Sequence, residues 1–217
     1  MQHYQQAIVI LGKEPTPGFV KTRLTQSGNI SPQAASEIQT VLALHILRLL
    51  VDLDCPVILQ MKGDLQGSFA QQCTDIGALV ERQAEGTLTE KIHMASKRAE
   101  RTLILGMDMP LLNMNELHFA LHSPNLVLGP AEDGGYWLIG GNQIPRDILE
   151  DIPWSTENVW KTTIAKCEEL KIQYDVLSCQ QDIDTISDLQ QLLSNPQCPT
   201  VLRLQLQVIL DTKPHHL

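Results

Sequence analysis

The sequence predicts an α/β protein, a three-layer α/β/α sandwich whose sheet is mostly parallel. Seven strand-length runs rich in Val, Ile and Leu are bounded by turn residues, at 7–12, 56–61, 78–83, 102–107, 125–130, 136–141 and 174–179. Helical patterns separate most of these runs, and such alternation is typical of a parallel sheet covered on both faces. With 217 residues, 43% hydrophobic, and one compositional regime throughout, we expect a single domain over 1–217.

Helix starts between the strands are marked by residues that cap helices. Ser31-Pro32 places proline at a first helical position, and two segments have the spacing of a capping box. The predicted starts are Ser31, Thr87 with Glu90, Asn113 with Glu116, Ser155 or Thr156 before a helix through Leu170, and Thr185 before one through Leu193. These starts place a helix after most of the strands.

Charge and composition exclude several classes of partner. The net charge of −9 argues against nucleic acid or an anionic membrane as the main partner. The first six residues, MQHYQQ, lack the basic residues of a secretory signal, and the apolar stretch VLALHILRLLVDL is too short to span a bilayer. Five cysteines without metal-ligand spacing are interpreted as small buried hydrophobes. We therefore expect a soluble, cytoplasmic protein.

Four unusual segments each follow a predicted strand. They are GKEPTPGFVKTRL (12–24), MDMPLL (107–112), GPAEDGG (129–135) and QDIDTISDL (181–189). In open parallel sheets, ligands bind beyond the carboxyl ends of the strands. We therefore expect the four segments to share one rim and to form the functional site.

The first segment combines glycines, prolines and three cations. It is not a P-loop, because five residues separate Gly12 from Gly18 and the next lysine comes too late. A stiff, glycine-bearing loop with Lys13, Lys21 and Arg23 can nevertheless wrap a polyphosphate, with the arginine making bidentate contacts. The alternative is a solvated basic surface loop.

Carboxylates follow two other strands. Asp108 comes directly after an apolar strand, where a carboxylate is costly unless it is paired. It is either a turn residue before Pro110 or a ligand for Mg²⁺ or Mn²⁺ that also contacts substrate phosphates. Asp184 or Asp182 would then supply the second carboxylate, whereas Asp188 fits a structural role at a helix start.

The segment GPAEDGGYWLIGG, residues 129–141, has two interpretations that are compatible with each other. One is a β-hairpin whose glycines allow positive φ in a tight turn. The other is a loop where Gly134, Gly135 and Tyr136 approach a substrate and Asp133 faces the cleft, either as a general base or as a carboxylate that binds the acceptor.

Together these segments resemble the DUF2064 family of glycosyltransferase-A-like proteins in the nucleotide-diphospho-sugar transferase superfamily. The resemblance rests on KEPTPGFVKTRL, LGMDMPLL, GPAEDGGYWLIG and DIDTISDL, and the first also resembles a loop of phospholactate guanylyltransferases. It implies a Rossmann-like (GT-A) fold, a nucleotide bound over the first loop and a metal near Asp108. The chain departs from the family pattern at four positions: Met107 replaces a serine, Trp137 a tyrosine, Gly141 a bulky apolar residue and Thr87 an aspartate.

Three function classes follow. The first is transfer of a sugar from a nucleotide-sugar to an unknown small-molecule acceptor, with Asp133 and Lys21 as candidate catalytic residues. The second is nucleotidyl transfer from a nucleoside triphosphate, favoured by the cationic first loop and by the absence of an Asp-x-Asp motif at Asp108. The third is nucleotide binding without catalysis. The first is our leading hypothesis.

Overall fold

The computed structural model describes residues 4–26 and 28–212, and its centre is a seven-stranded sheet. The strands are β1 (Tyr4–Lys13), β2 (Val57–Lys62), β3 (Leu79–Arg82), β4 (Ala99–Leu105), β5 (Leu126–Pro130), β6 (Tyr136–Asn142) and β7 (Tyr174–Val176). Their order is β3-β2-β1-β4-β6-β5-β7, with β6 antiparallel to both of its neighbours and every other pair parallel. All seven predicted runs form strands, and the predicted fold class is confirmed.

Eight α-helices and two 3₁₀ turns (Ser96–Arg98 and Arg146–Ile148) accompany the sheet in the described residues. The helices are α1 (Thr22–Thr25), α2 (Pro32–Leu50), α3 (Ser68–Ile76), α4 (Leu88–Ala95), α5 (Met114–His122), α6 (Val159–Glu169), α7 (Ile186–Ser194) and α8 (Thr200–Asp211). Ser31, Thr87 and Thr185 cap α2, α4 and α7 as predicted, the last two through complete capping boxes.

Two details of the predicted helix starts are wrong, although Asn113 does cap α5 by accepting a hydrogen bond from the Asn115 amide (3.0 Å). Glu116 does not close a capping box with Asn113, because its carboxylate accepts hydrogen bonds from the Ser178 amide (3.0 Å) and hydroxyl (2.7 Å). Helix α6 begins after Asn158, three residues beyond the predicted Ser155, whose φ of 64° lies outside the extended region that capping residues adopt. In the first case a partner 62 residues away outcompetes the local bond.

Successive side chains of β1 are buried on opposite faces of the sheet. Ile8 and Ile10 pack in one apolar cluster with Leu47 of α2, while Val9 packs in a second cluster with Ile92 of α4. Such two-sided burial is the reason that the parallel strands are continuous apolar runs. The sheet is thus the middle of three layers, as predicted.

Helix α2 contains most of the apolar stretch that was considered for a membrane span. Its buried residues include Leu42, Ile46 and Leu50, which pack into the core. Within 4–26 and 28–212, every helix is too short or too polar to cross a bilayer.

The cysteines only partly follow the prediction of buried hydrophobes. All five are free: Cys73, Cys167 and Cys198 are buried, Cys55 is half-buried, and Cys179 is exposed. Burial raises the pKa of Cys55 to about 11 and that of Cys73 to about 12. The prediction fails at Cys179 because the strand run predicted there, 174–179, ends at Val176, and Cys179 lies in the following loop.

Candidate functional site: a cationic cleft at the carboxyl edge of the sheet

A cleft of about 450 Å³ opens at the carboxyl ends of β1 and β4. We call it the cationic cleft, because Lys13, Lys21, Arg23 and Lys91 line it together with Asp108 and Asp184. The first loop, the Asp108 segment and the 181–189 segment therefore meet at one rim, as expected for loops that follow parallel strands. Gly12 also lines the cleft, where it lies against the Met107 thioether; a Cβ at Gly12 would be 2.4 Å from that sulfur.

Lys21 is at the centre of the site. It adopts a left-handed conformation (φ 47°, ψ 38°) just before α1, and its side chain is only 3% exposed. Its Nζ lies 2.7 Å from Asp108 Oδ1 and 2.9 Å from Asp184 Oδ1. Burial by itself would lower the pKa of Lys21, but the two carboxylates outweigh it and raise the pKa. The Lys21 ammonium therefore links the first loop to both acidic segments, through Asp108 in one and Asp184 in the other.

Asp108 is held by its backbone as well as by this ion pair. Its carbonyl oxygen accepts a hydrogen bond from the Ile183 amide (3.1 Å), which ties the two acidic segments together. Its Oδ1 is shielded from solvent. Within the described residues, the polar group that contacts this oxygen is the Lys21 ammonium, as an ion pair. Pro110 stands where an Asp-x-Asp motif starting at Asp108 would place its second carboxylate, and both Met109 (4% exposed) and Pro110 are buried.

The structure separates the roles of the two aspartates in QDIDT. Asp184 faces Asp108 across Lys21, and its other oxygen lies 3.5 Å from Nη1 of the exposed Arg23. Asp188 accepts from the amides of Asp184 (3.0 Å) and Thr185 (2.6 Å), which holds this segment at the start of α7 and confirms its structural role. Burial, then Asp133 and Asp184, raises the pKa of Asp182 to about 6.

The first loop is preformed. The Pro15 carbonyl accepts from the Ser36 hydroxyl of α2 (2.6 Å), and the Phe19 amide donates to the Thr16 carbonyl (3.0 Å). Gly18 has a φ of 81°, which only glycine adopts without strain. The loop is therefore anchored although most of it is exposed.

Sequence reasoning missed several residues that line the cleft, among them Phe19, Leu88 and Lys91. Phe19 lies inside the loop that was singled out, but only its cations and glycines were considered. Leu88 and Lys91 belong to α4, whose start was read as a structural cap. The cationic charge of Lys91 near a predicted rim was the signal that could have found it.

The pair Asp108 and Asp184 fits a divalent cation in part. Within the described residues, no group of three or more His, Cys, Asp or Glu side chains is placed to hold a metal. Two carboxylate oxygens do converge on one point, now occupied by Lys21 Nζ. Mg²⁺ typically takes one or two carboxylates and completes its shell with water and substrate phosphates. These two residues would hold such an ion if the Lys21 ammonium moved aside.

The glycine-rich segment forms the predicted hairpin between β5 and β6. Its turn is closed by hydrogen bonds from the Ala131 amide to the Gly135 carbonyl and from the Gly134 amide to the Ala131 carbonyl, each 3.1 Å. Gly134 has a φ of 86°, and a Cβ there would lie 2.3 Å from the Glu157 carbonyl oxygen. In this structure, the absence of a side chain at Gly134 lets the hairpin turn pack closely against the backbone of Glu157.

Asp133 is at the tip of this hairpin and is exposed. Its Oδ1 accepts from the Gly135 amide (2.9 Å), which fixes the carboxylate in the turn. It does not line the cationic cleft; its hairpin lies beside the start of the 181–189 segment, since the Glu132 amide donates to the Gln180 carbonyl (3.1 Å).

Tyr136 follows the hairpin turn, and its hydroxyl is directed into the protein. The hydroxyl is buried without a hydrogen-bond partner among the described residues, and its ring packs edge-on against Trp154 with centroids 5.9 Å apart. Burial, then the nearby Cys167, raises the pKa of Tyr136. In this structure the hydroxyl is not placed to contact a ligand in the cleft.

Replacing Tyr136 with phenylalanine is expected to raise the free energy of unfolding by about 1 kcal/mol, because the variant no longer buries an unpaired hydroxyl. Chemical denaturation checks this, with Tyr174→Phe on β7 as the matched control, for which we expect no clear change. A loss of stability in Tyr136→Phe would show that the hydroxyl has a partner. A loss of ligand affinity would restore the substrate role predicted from sequence.

Residues 46–156 match a family model described as "Uncharacterized protein conserved in bacteria (DUF2064)", over just more than half of the chain. The chain belongs to the DUF2064 family. The matched part includes Asp108 and the 129–141 hairpin, whereas the first loop and the 181–189 segment lie outside it. No curated protein matches the chain.

Solved structures show the same fold at low sequence identity. A "putative nucleotide-diphospho-sugar transferase" from Desulfovibrio desulfuricans G20 aligns with a TM-score of 0.82 at 21% identity, covering 95% of this chain and 97% of that one. A CMP:2-keto-3-deoxy-manno-octonic acid synthetase complexed with CTP aligns at 0.55 with 11% identity, covering 94% and 99%. A 4-diphosphocytidyl-2C-methyl-D-erythritol synthase from Anaerococcus prevotii DSM 20548 aligns at 0.51 with 11% identity, covering 87% and 96%. These likenesses establish the nucleotidyltransferase-like, Rossmann-type fold of this DUF2064 member.

Proposed function

We propose that this DUF2064 protein is a transferase that uses a nucleotide-activated donor, and that the donor's phosphates bind in the cationic cleft. The observation that carries the proposal is the convergence of four cations, Lys13, Lys21, Arg23 and Lys91, in a chain of net charge −9. Their charges exceed those of Asp108 and Asp184 by two, so the cleft attracts the phosphates of a nucleotide. Fixed cations of this kind also stabilise the charge that develops on a leaving phosphate.

The leading candidate reaction is glycosyl transfer. An acceptor hydroxyl would attack the anomeric carbon of a nucleotide-sugar, the bond from that carbon to the diphosphate would break, and the nucleoside diphosphate would leave with the bonding electrons. The acceptor proton would pass to a carboxylate, for which Asp133 is the exposed candidate. The solved structure of highest TM-score among those described above bears a nucleotide-diphospho-sugar transferase name, which supports this order of candidates.

The second candidate is nucleotidyl transfer. An oxygen of a phosphorylated acceptor would attack the α-phosphorus of a nucleoside triphosphate, and pyrophosphate would leave. Two observations favour it: the buried Pro110 in place of the second carboxylate of an Asp-x-Asp motif, and the likeness to two synthetases of cytidine-nucleotide products. Nucleotide binding without catalysis remains the third candidate.

The leaving group distinguishes the candidates. A thermal-shift screen with Mg²⁺ against nucleoside triphosphates and nucleotide-sugars selects the donor, because a ligand that binds only the folded state raises the melting temperature. With that donor and a panel of acceptors, glycosyl transfer releases nucleoside diphosphate, whereas nucleotidyl transfer releases pyrophosphate. Failure of every nucleotide to shift the melting temperature would reject the proposal.

We further propose that Asp108 and Asp184 bind one Mg²⁺ or Mn²⁺ when nucleotide is present, Asp184 being chosen over Asp182 because it faces Asp108. The ion would neutralise phosphate charge in the donor. We expect Mg²⁺ to raise nucleotide affinity about tenfold or more in the wild type and to have little effect in Asp108→Asn. Calorimetric titration of nucleotide with and without Mg²⁺ tests this. If Asp108→Asn keeps the full metal-dependent gain, Asp108 is a turn residue.

A further inference from the structure

Phe19 is the most exposed large apolar side chain in the part of the chain that the structure describes. It is 79% exposed, whereas the other two phenylalanines, Phe69 and Phe119, are 5% and 51% exposed. Such a ring gains nothing from the packing that stabilises the rest of the fold. It nevertheless lies on the wall of the cationic cleft.

The loop holds Phe19 in this position. Its amide donates to the Thr16 carbonyl, the preceding Gly18 has a φ of 81°, and the Pro15 carbonyl is bound to Ser36 of α2. Prolines at positions 15 and 17 further restrict the backbone. The ring is therefore presented to solvent by an anchored segment, so its exposure is not a consequence of a loose loop.

Phe19 also differs in chemistry from the rest of the cleft. Among the described residues that line the cleft it is the single aromatic, and Leu88 at the start of α4 is a second exposed apolar side chain there, at 38%. Lys13, Lys21, Arg23 and Lys91 provide contacts for phosphates. The part of a nucleotide that these cations leave unmatched is its base, which has a flat, polarisable face.

We infer that Phe19 stacks on the nucleobase of the donor, with Leu88 adding apolar contact, while the cations hold the phosphates. This inference rests on the proposed function and names the part of the same site that binds the base. Stacking is tolerant of base identity because every base has a π-face, so Phe19 contributes affinity for nucleotides in general. Because the loop backbone is already anchored, binding orders less of the chain than it would for a ring on a free loop.

The test compares a nucleotide with its phosphates alone. Binding of ATP, GTP, CTP, UTP and inorganic tripolyphosphate is measured by calorimetry with Mg²⁺, in wild type, Phe19→Ala, Phe19→Trp and Phe119→Ala. We expect Phe19→Ala to weaken the preferred nucleotide about tenfold and to leave tripolyphosphate unchanged, since one stacked base contributes about 1–3 kcal/mol. Phe19→Trp should keep nucleotide affinity, and Phe119→Ala, an exposed phenylalanine on α5, should bind like the wild type.

The outcomes separate this inference from the proposed function. Unchanged nucleotide affinity in Phe19→Ala, with wild-type binding intact, would overturn the stacking inference and leave the cleft as a nucleotide site. An equal loss for tripolyphosphate would also overturn it, because the loop would then act on the phosphates. A wild type that binds none of the four nucleotides and none of the nucleotide-sugars of the thermal-shift screen would overturn both. Loss of self-association in Phe19→Ala at constant nucleotide affinity would assign the ring to protein contact and overturn the inference.

Discussion

Lys21→Met is expected to destabilise the protein in the absence of divalent cations and to make its stability depend on Mg²⁺. The substitution leaves Asp108 and Asp184 facing each other without the ammonium that now lies 2.7 and 2.9 Å from them. Removing one partner of a buried pair costs about 3–5 kcal/mol, but both carboxylates are about one third exposed, so we expect about 2 kcal/mol. For a chain of this size that corresponds to a melting temperature lower by roughly 4–8 °C.

Added Mg²⁺ is expected to recover part of that loss, because the ion can take the place of the ammonium between the two carboxylates. This is measured by thermal unfolding, without Mg²⁺ and with Mg²⁺ at about ten times its half-saturating concentration. The wild type should respond less, since Lys21 already occupies the point. Lys13→Met is the matched control: Lys13 lines the same cleft, is exposed, and has no carboxylate within ion-pair distance among the described residues.

Two results would contradict this expectation. If Lys21→Met loses stability and Mg²⁺ restores no more than it does in Lys13→Met, the two carboxylates do not hold a metal in the absence of nucleotide. If Lys21→Met is as stable as the wild type, the ion pairs contribute no net stability. The double variant Lys21→Met/Asp108→Asn should recover stability without Mg²⁺, because it removes the repulsion.

Gly134→Ala is expected to cost about 3 kcal/mol or more of folding stability. The residue has a φ of 86°, where an L side chain is strained, and its Cβ would lie 2.3 Å from the Glu157 carbonyl oxygen and 2.7 Å from the Glu157 Cα. Backbone atoms cannot rotate away as a side chain can, so either the hairpin turn or the 157 segment must move. Denaturant unfolding measures the loss.

Gly135→Ala is the matched control one residue away. A Cβ there would meet the Asp133 carboxylate, at 3.1 Å, and this exposed side chain can rotate away at the cost of its hydrogen bond to the Gly135 amide. We expect a change of less than 1 kcal/mol. Equal stability of the two variants would mean that the turn moves freely away from Glu157, and the reason for the double glycine would then have to be sought in a ligand.

Much of the fold follows from local patterns. The runs of the central strands form β-structure because they are buried on both faces of the sheet, whereas the edge strands β3 and β7 have no fully buried residue. Ser31, Thr87 and Thr185 cap helices because their bonds reach only three residues ahead. The meeting of Lys21 with Asp108 was predictable for the same kind of reason. Parallel strands bring their carboxyl ends to one edge whatever their order.

Only the tertiary structure determined which side chains come into contact. It alone placed the Lys21 ammonium between Asp108 and Asp184, and chose Asp184 over Asp182. It gave Glu116 a partner in Ser178 rather than a cap, and it inserted β6 antiparallel between β4 and β5. Sequence patterns record burial and dihedral preference over a few neighbours. Contacts between residues tens of positions apart depend on strand order and on side-chain direction, and these are settled only when the whole chain packs.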